Sequence, residues 1–183
     1  MSTVTQKLIT AEEFLLMPNP PGGVQQELVR GEIVNMPPPG TLHGVTQMKT
    51  GRRLGNFIDA GPGGTLSCES GFVTERSPDS VRGPDISYWT KERLKEIPVG
   101  YVDISPDMIV EVLSPSNTTK KILEKLREYF DKGVRLVWII SPEDRTLTIY
   151  RKPEEGRLLH ETAEVTGEDV LPGFECRVSD LLP

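Results

Sequence analysis

The chain is poor in the residues that build metal staples and disulfide frameworks. It has two cysteines in 183 residues, Cys68 and Cys176, which lie far apart and form no CxxC pair. It also has only two histidines, His43 and His160. A structural zinc site or a disulfide scaffold is therefore not expected, and both cysteines read as small buried or half-buried hydrophobes. No apolar run approaches the roughly 18 residues of a membrane span. The N-terminus lacks the basic-then-apolar pattern of a secretion signal, so a soluble cytoplasmic protein with no membrane partner is expected. Positive charge is in deficit too: 21 Lys and Arg stand against 27 Asp and Glu, a net −6. Proteins that grip nucleic acid mainly by neutralising phosphates are usually basic. That balance argues against strong nonspecific binding by a monomer, but leaves room for a local basic stripe around an acidic metal site.

What is present suits one domain with a sizeable core. Residues 1–23 read as an N-terminal arm and 24–183 as a single domain. Within the arm, Thr10 and Glu13 form a capping-box pattern that predicts a short helix over Ala11–Leu16. Gln26 to Met36 reads as a hairpin turning at Arg30-Gly31. A helix is predicted over Thr41–Ala60, with Leu42, Val45, Met48, Leu54, Phe57 and Ile58 near one apolar face. Leu66–Glu75 reads as a strand, Ser77–Gly83 as a loop, and Asp85–Trp89 as the next strand. Lys91–Asp103 is polar and partly helical in pattern. Asp107–Leu113 and Val134–Ile140 read as strands, with a helix over Thr118–Lys132 between them and a turn and N-cap at 114–117. Arg145–Arg151 pairs with the second of these strands, and smaller strands near Leu158 and Phe174 finish the sheet. The result is an α/β sandwich, a mixed sheet flanked by two main helices, in which the 107–113 and 134–140 strands are parallel.

One residue stands out from this pattern. Alternation puts Met108, Val110 and Val112 on one face of their strand and Ile109, Glu111 and Leu113 on the other. With apolar residues on both faces the strand is covered on both sides, so Glu111 is a carboxylate where an unpaired charge costs several kcal/mol. A bound cation removes that cost. Asp107 opens the same strand, but at ~3.3 Å per residue it lies roughly 13 Å from Glu111, too far for one ion. Asp85 follows Pro84 at a sheet rim. If its strand neighbours that of Glu111, the backbones lie about 4.8 Å apart and both carboxylates reach one cation. Oxygen ligands without His or Cys favour Mg²⁺ or Mn²⁺; the plain alternative is a rim aspartate satisfied by turn amides. On the following helix Ile122, Leu123, Leu126, Tyr129 and Phe130 fill one apolar arc, and Lys125 lies just beside it. Its ammonium could reach Glu111, or simply snorkel beside a neighbouring glutamate.

Several segments together resemble the Uma family, grouped with restriction endonucleases in the PD-(D/E)XK nuclease superfamily. They are Arg82-Gly-Pro-Asp-Ile86, Ile109-Val-Glu-Val-Leu-Ser-Pro-Ser-Asn117, Glu124-Lys-Leu-Arg-Glu-Tyr129, Lys132-Gly-Val134 and Val137-Trp-Ile139. Upstream, Glu27-Leu-Val-Arg-Gly-Glu-Ile33 and Leu42-His43 fit as well, so the resemblance runs from about Ala11 to Leu181. It implies a restriction-endonuclease-like core and a metal-dependent DNA endonuclease, commonly a homodimer. Asp85 matches the motif aspartate and Glu111 the acidic residue of the (D/E)XK half. The chain departs from the pattern at the lysine, since Val112-Leu113 follows Glu111; the resemblance moves that role to Lys125. Glu27 matches an additional acidic residue. Asp85, Glu111 and the Val112 carbonyl would hold Mg²⁺, while His43 and Tyr129 support the site or serve as core and cap. Two other classes stay open: a catalytically inactive nuclease-fold module binding nucleic acid or protein, and an acid/base hydrolase using Glu111 and Asp85 without metal.

Overall fold

The structure, a computed structural model, describes residues 7–18, 20–114 and 117–183. The first half of the chain contains α1 (Ala11–Leu15), β1 (Gln25–Val29), β2 (Glu32–Met36), α2 (Thr41–Ala60), β3 (Thr65–Ser67), β4 (Phe72–Glu75), β5 (Ser80–Arg82) and β6 (Ile86–Trp89). The second half contains β7 (Met108–Val112), α3 (Thr119–Lys132), β8 (Leu136–Ser141), β9 (Thr146–Lys152), β10 (Glu155–His160), β11 (Glu164–Gly167) and β12 (Leu171–Arg177). Among the described residues the large sheet has the order β10-β9-β8-β7-β6-β3, and a smaller one the order β2-β1-β5-β4. It is a mixed sheet: β7 and β8 run parallel, as expected of strands joined through a helix, while β6 lies antiparallel on the other side of β7.

The alternation along β7 sorts its side chains between two cores. Met108 and Val110 pack with Leu54 and Ile58 of α2 and with Trp138. Ile109 packs on the other face with Leu126 and Tyr129 of α3. Each fully buried side chain of this size contributes about 1.5–3 kcal/mol, so the register of β7 is strongly specified. A one-residue slip would carry Glu111 to the α2 side.

Helix α3 begins where Thr118 accepts the Lys121 N–H at 3.3 Å. It ends at Gly133, whose φ of 102° closes the last turn without a Cβ penalty. Ile122, Leu123, Leu126, Tyr129 and Phe130 all face the second core, as their spacing requires. The expected turn and N-cap at 114–117 falls partly outside the described residues; within them, Asn117 accepts the Ser114 N–H and the N-cap is Thr118.

Helix α2 has the expected limits but a different face. Its buried residues are Thr46, Thr50, Leu54 and Ile58, spaced strictly by four, whereas Leu42 and Val45 are 41% exposed and Met48 is 70% exposed. Thr46 can be buried because its hydroxyl donates to the Leu42 carbonyl at 2.8 Å. The apolar periodicity of the first half of this helix therefore points away from the core.

Five other expectations are corrected. Leu66–Glu75 is not one strand: β3 belongs to the large sheet and β4 to the small one, and the chain breaks between them at Cys68–Gly71, where Glu69 has φ 50°. Ser77–Gly83 is not all loop, since β5 sits between β1 and β4. Lys91–Asp103 forms no helix. Of the last strands only β10 extends the large sheet; β11 and β12 form a separate pair that packs Val165, Leu171 and Phe174 on the α2-side core. Cys176 is buried, but Cys68 is exposed.

The short α1 covers the small sheet through Ala11 and Phe14. Thr10 and Glu13 close the predicted capping box, and Asp79 accepts the Ala11 N–H at 2.8 Å. Among the described residues no helix is long and apolar enough to cross a membrane.

Candidate functional site

The ends of β6 and β7 bring the two main sequence candidates together. Ile86 pairs with Val110, so one step further along the antiparallel register Asp85 stands opposite Glu111. Asp85 Oδ2 accepts the Val112 N–H at 2.6 Å, fixing the aspartate to the glutamate strand. Its Oδ1 lies 3.0 Å from Nε2 of His43, which the first turn of α2 supplies. The alternative in which Asp85 is satisfied only by turn amides is thus replaced by a sheet amide and an imidazole.

Glu111 faces α3. The Tyr129 hydroxyl donates to its Oε1 at 2.5 Å, and the Lys125 ammonium donates to both oxygens at 3.2 and 3.3 Å. Lys125 also lies 3.3 Å from Oε1 of Glu27, so it bridges two carboxylates. Glu27 comes from β1 and receives two further donors, Arg82 at 2.9 Å and the Gly83 N–H at 3.3 Å. Arg82 in turn forks onto both oxygens of Glu128 on α3 at 2.5 and 2.7 Å. The site is therefore built where three units meet: the large sheet, the small sheet and α3.

These neighbours set the protonation of the site. Burial pushes the Glu111 carboxyl above the ordinary carboxylate value; the charges of Asp85 and Glu27 add to this, against Lys125 and the Tyr129 hydrogen bond. For Glu27 burial opposes ionisation, but Lys125 and Arg82 outweigh it and hold the pKa below ordinary. Burial also opposes the charge on Lys125, yet Glu111 and Glu27 raise its pKa, so it is a fixed cation. Burial, then Glu111, keeps Tyr129 well above its usual value and hence a hydrogen-bond donor. The hydrogen bond to Asp85 raises His43 against the effect of burial.

Glu27, His43, Asp85, Glu111 and Lys125, together with Glu69, line one cleft of about 360 Å³. Among the described residues no group of three or more His, Cys, Asp or Glu side chains stands where it could hold a metal ion between them. Glu111 and Asp85 are nevertheless two oxygen donors on adjacent strands, and the negative neighbours that raise Glu111 are what a cation would relieve. The donor set fits a hard divalent ion. The buried Nδ1 of His43 has no hydrogen-bond partner among the described residues.

The sequence of the matched segments places the chain among known proteins. It matches the Uma2 family, described as "Putative restriction endonuclease", over residues 11–179. The chain belongs to the Uma2 family. A solved structure titled as a putative nuclease belonging to DUF820, from Anabaena variabilis, is similar with a TM-score of 0.77 and 23% identity. The match covers 94% of this chain and 97% of that one. The fold is thus restriction-endonuclease-like, as the Uma2 assignment implies. No curated protein matches the chain.

Sequence reasoning missed three members of this Uma2 site. Glu69 reaches the cleft from the break between β3 and β4 and accepts from Gln25 at 2.5 Å and Gln47 at 3.3 Å. The Ser70-Gly71 pair marks that break in the sequence. Arg82 and Glu128 join the site only through the pairing of β5 beside β1, which no local pattern encodes.

Proposed function

We propose that the protein is a Mg²⁺- or Mn²⁺-dependent endonuclease that hydrolyses DNA phosphodiester bonds. The observation that carries this reading is the convergence of Asp85 and Glu111 from adjacent strands with Lys125 held against Glu111. Asp85, Glu111 and the Val112 carbonyl would hold the ion, which when bound lowers the pKa of a water and polarises a phosphate oxygen. Lys125, kept protonated by its two carboxylate neighbours, supplies positive charge to the developing phosphorane and does not serve as a base. Tyr129 orients Glu111, and His43 orients Asp85. Glu27 anchors Lys125 as its second carboxylate partner. The site works in the cytoplasm, in a homodimer on the strength of the family resemblance.

The test is cleavage of DNA by purified protein with Mg²⁺ or Mn²⁺. Glu111→Gln and Asp85→Asn are expected to abolish cleavage while retaining the wild-type circular dichroism spectrum and a cooperative melting transition. Equal cleavage by wild type and both variants would remove these residues from catalysis. Cleavage that persists under strong chelation would favour the metal-free hydrolase. A second reading, a nuclease-fold module without catalysis, is favoured by one observation: both carboxylates already have protein partners, His43 and the Val112 amide for Asp85, Lys125 and Tyr129 for Glu111. Calorimetric titration with Mn²⁺ separates the two, because only the enzyme is expected to bind the ion through Glu111.

A further inference from the structure

A second cavity adjoins the polar cleft. It holds about 170 Å³ and is walled by Val29 and Val34 of the β1–β2 hairpin, Leu113 and Ile139 of the large sheet, and Ile122 and Leu126 of α3. Glu27, Glu111 and Lys125 belong to both cavities and form their common boundary. An apolar cavity of roughly 150 Å³ accommodates one benzene-sized ring. Asn117 also borders both spaces; its Oδ1 is committed to the Ser114 N–H at 2.7 Å and to the Ser114 hydroxyl at 2.9 Å. Among the described residues no acceptor takes the Asn117 amide nitrogen, and Lys121 stands at the rim.

We propose that this apolar cavity receives one unstacked pyrimidine base, so that the chain acts on single-stranded or unpaired nucleic acid in preference to intact duplex. The inference rests on the nuclease reading for its catalytic half. In a nucleotide the phosphate and the base are one sugar apart. A phosphate against Glu111 and Lys125 in the polar cleft therefore puts its base within reach of the neighbouring apolar space. The Asn117 amide suits a base carbonyl, which both pyrimidines carry. In a duplex the same base is paired and stacked, and extruding it costs free energy that an already unpaired base does not require. The net charge of −6 supplies no broad positive surface with which to deform a duplex. One-ring bases fit the volume better than two-ring bases.

The test is fluorescence anisotropy in Ca²⁺, with oligothymidylate, oligouridylate, oligoadenylate and a hairpin duplex as probes. Oligothymidylate or oligouridylate is expected to bind tightest, and the order of these two tells deoxyribose from ribose preference. Val34→Trp, at an exposed hairpin position, fills the cavity. It is expected to weaken pyrimidine binding about tenfold, the scale of one lost base contact, and to erase the preference over oligoadenylate. Ile122→Trp fills the same space from α3 and guards against a folding defect in the first variant. Tighter binding of duplex, no binding of any probe, or pyrimidine binding indifferent to both substitutions in folded protein overturns the inference. Cavity-dependent binding without cleavage under Mg²⁺ would leave it standing and defeat the nuclease reading; cleavage of duplex by both filled variants at the wild-type rate would do the reverse.

Discussion

Glu111 and Glu27 share one lysine but respond to it in opposite senses. Glu27 has two cations beside it, Lys125 and Arg82, and is held below the ordinary carboxylate value. Glu111 has one cation, two negative neighbours and a largely buried side chain, and is pushed above it. Linkage gives the consequences for stability. The depressed Glu27 contributes stability that is present above its unfolded pKa near 4.5 and lost as pH falls through its folded value. Glu111 acts with the reverse sign, since the folded state holds its proton more tightly than the unfolded state does. Its contribution therefore declines as pH rises from 4.5 through its folded value. In metal-free protein the melting temperature of Glu111→Gln should accordingly gain on wild type as pH climbs through that interval. A thermal-shift series across pH checks this, and a constant or shrinking difference would mean that Glu111 titrates like a surface carboxylate. The same shift puts the acid limb of Mn²⁺ binding above the pH at which an ordinary glutamate would release its proton.

At the scale of elements, the site depends on how α3 is seated. Arg82 of β5 spends both arms of its fork on Glu128 and another N–H on Glu27, so one buried guanidinium ties the small sheet to the helix that carries Lys125 and Tyr129. Thr74 adds a hydroxyl contact to Glu128 at 3.3 Å. Lysine cannot reproduce a planar fork. Arg82→Lys should cost about 1.5–3 kcal/mol, the range for hydrogen bonds to charged groups, read by urea unfolding. If seating matters to catalysis, the rate of cleavage should fall more than substrate affinity, whereas a loss confined to stability would make the clamp purely structural. The elements beneath this clamp differ in how far sequence reveals them. β7, α3 and β8 were legible because each has one strong period and clear ends, down to Gly133. Pro84 and strand alternation put Asp85 at a rim and Glu111 on an inner face, but that their strands are neighbours was only a condition, met by the sheet order. The apolar face of α2 misled, since Thr46 and Thr50 go inside, Thr46 with its hydroxyl satisfied on the Leu42 carbonyl. β5 and the Arg82–Glu128 pair stayed hidden: three residues have no readable period, and their partners come from sheet order.

Over the whole molecule, charge decides what kind of nucleic-acid partner is feasible. The chain is net acidic, and many of its cations are already committed to carboxylates: Arg76 to Glu12, Asp79 and Asp103, Arg135 and Arg151 to Asp169, and Arg53 to Asp180. Of the cations that line the two cavities, Arg82 is paired with Glu27 and Glu128 and Lys125 with Glu27 and Glu111; Lys125, which also borders the polar cleft, and Lys121 are the two placed to meet phosphates. Each phosphate neutralised on a single strand lowers the slope of log affinity against log salt by about 0.7. Two contacts therefore give a slope of about −1.4, far shallower than the value near −10 of a protein that tracks a duplex backbone. Titrating oligothymidylate binding over a range of KCl in Ca²⁺ measures it directly. Lys121→Gln should make the slope shallower by about 0.7, because one phosphate contact is removed. A steep wild-type slope, or one unmoved by this substitution, would mean that the phosphates are gripped elsewhere on the surface. With the shallow slope expected here, affinity comes from geometry at the cavities, with long-range attraction contributing little, so that binding should survive physiological salt.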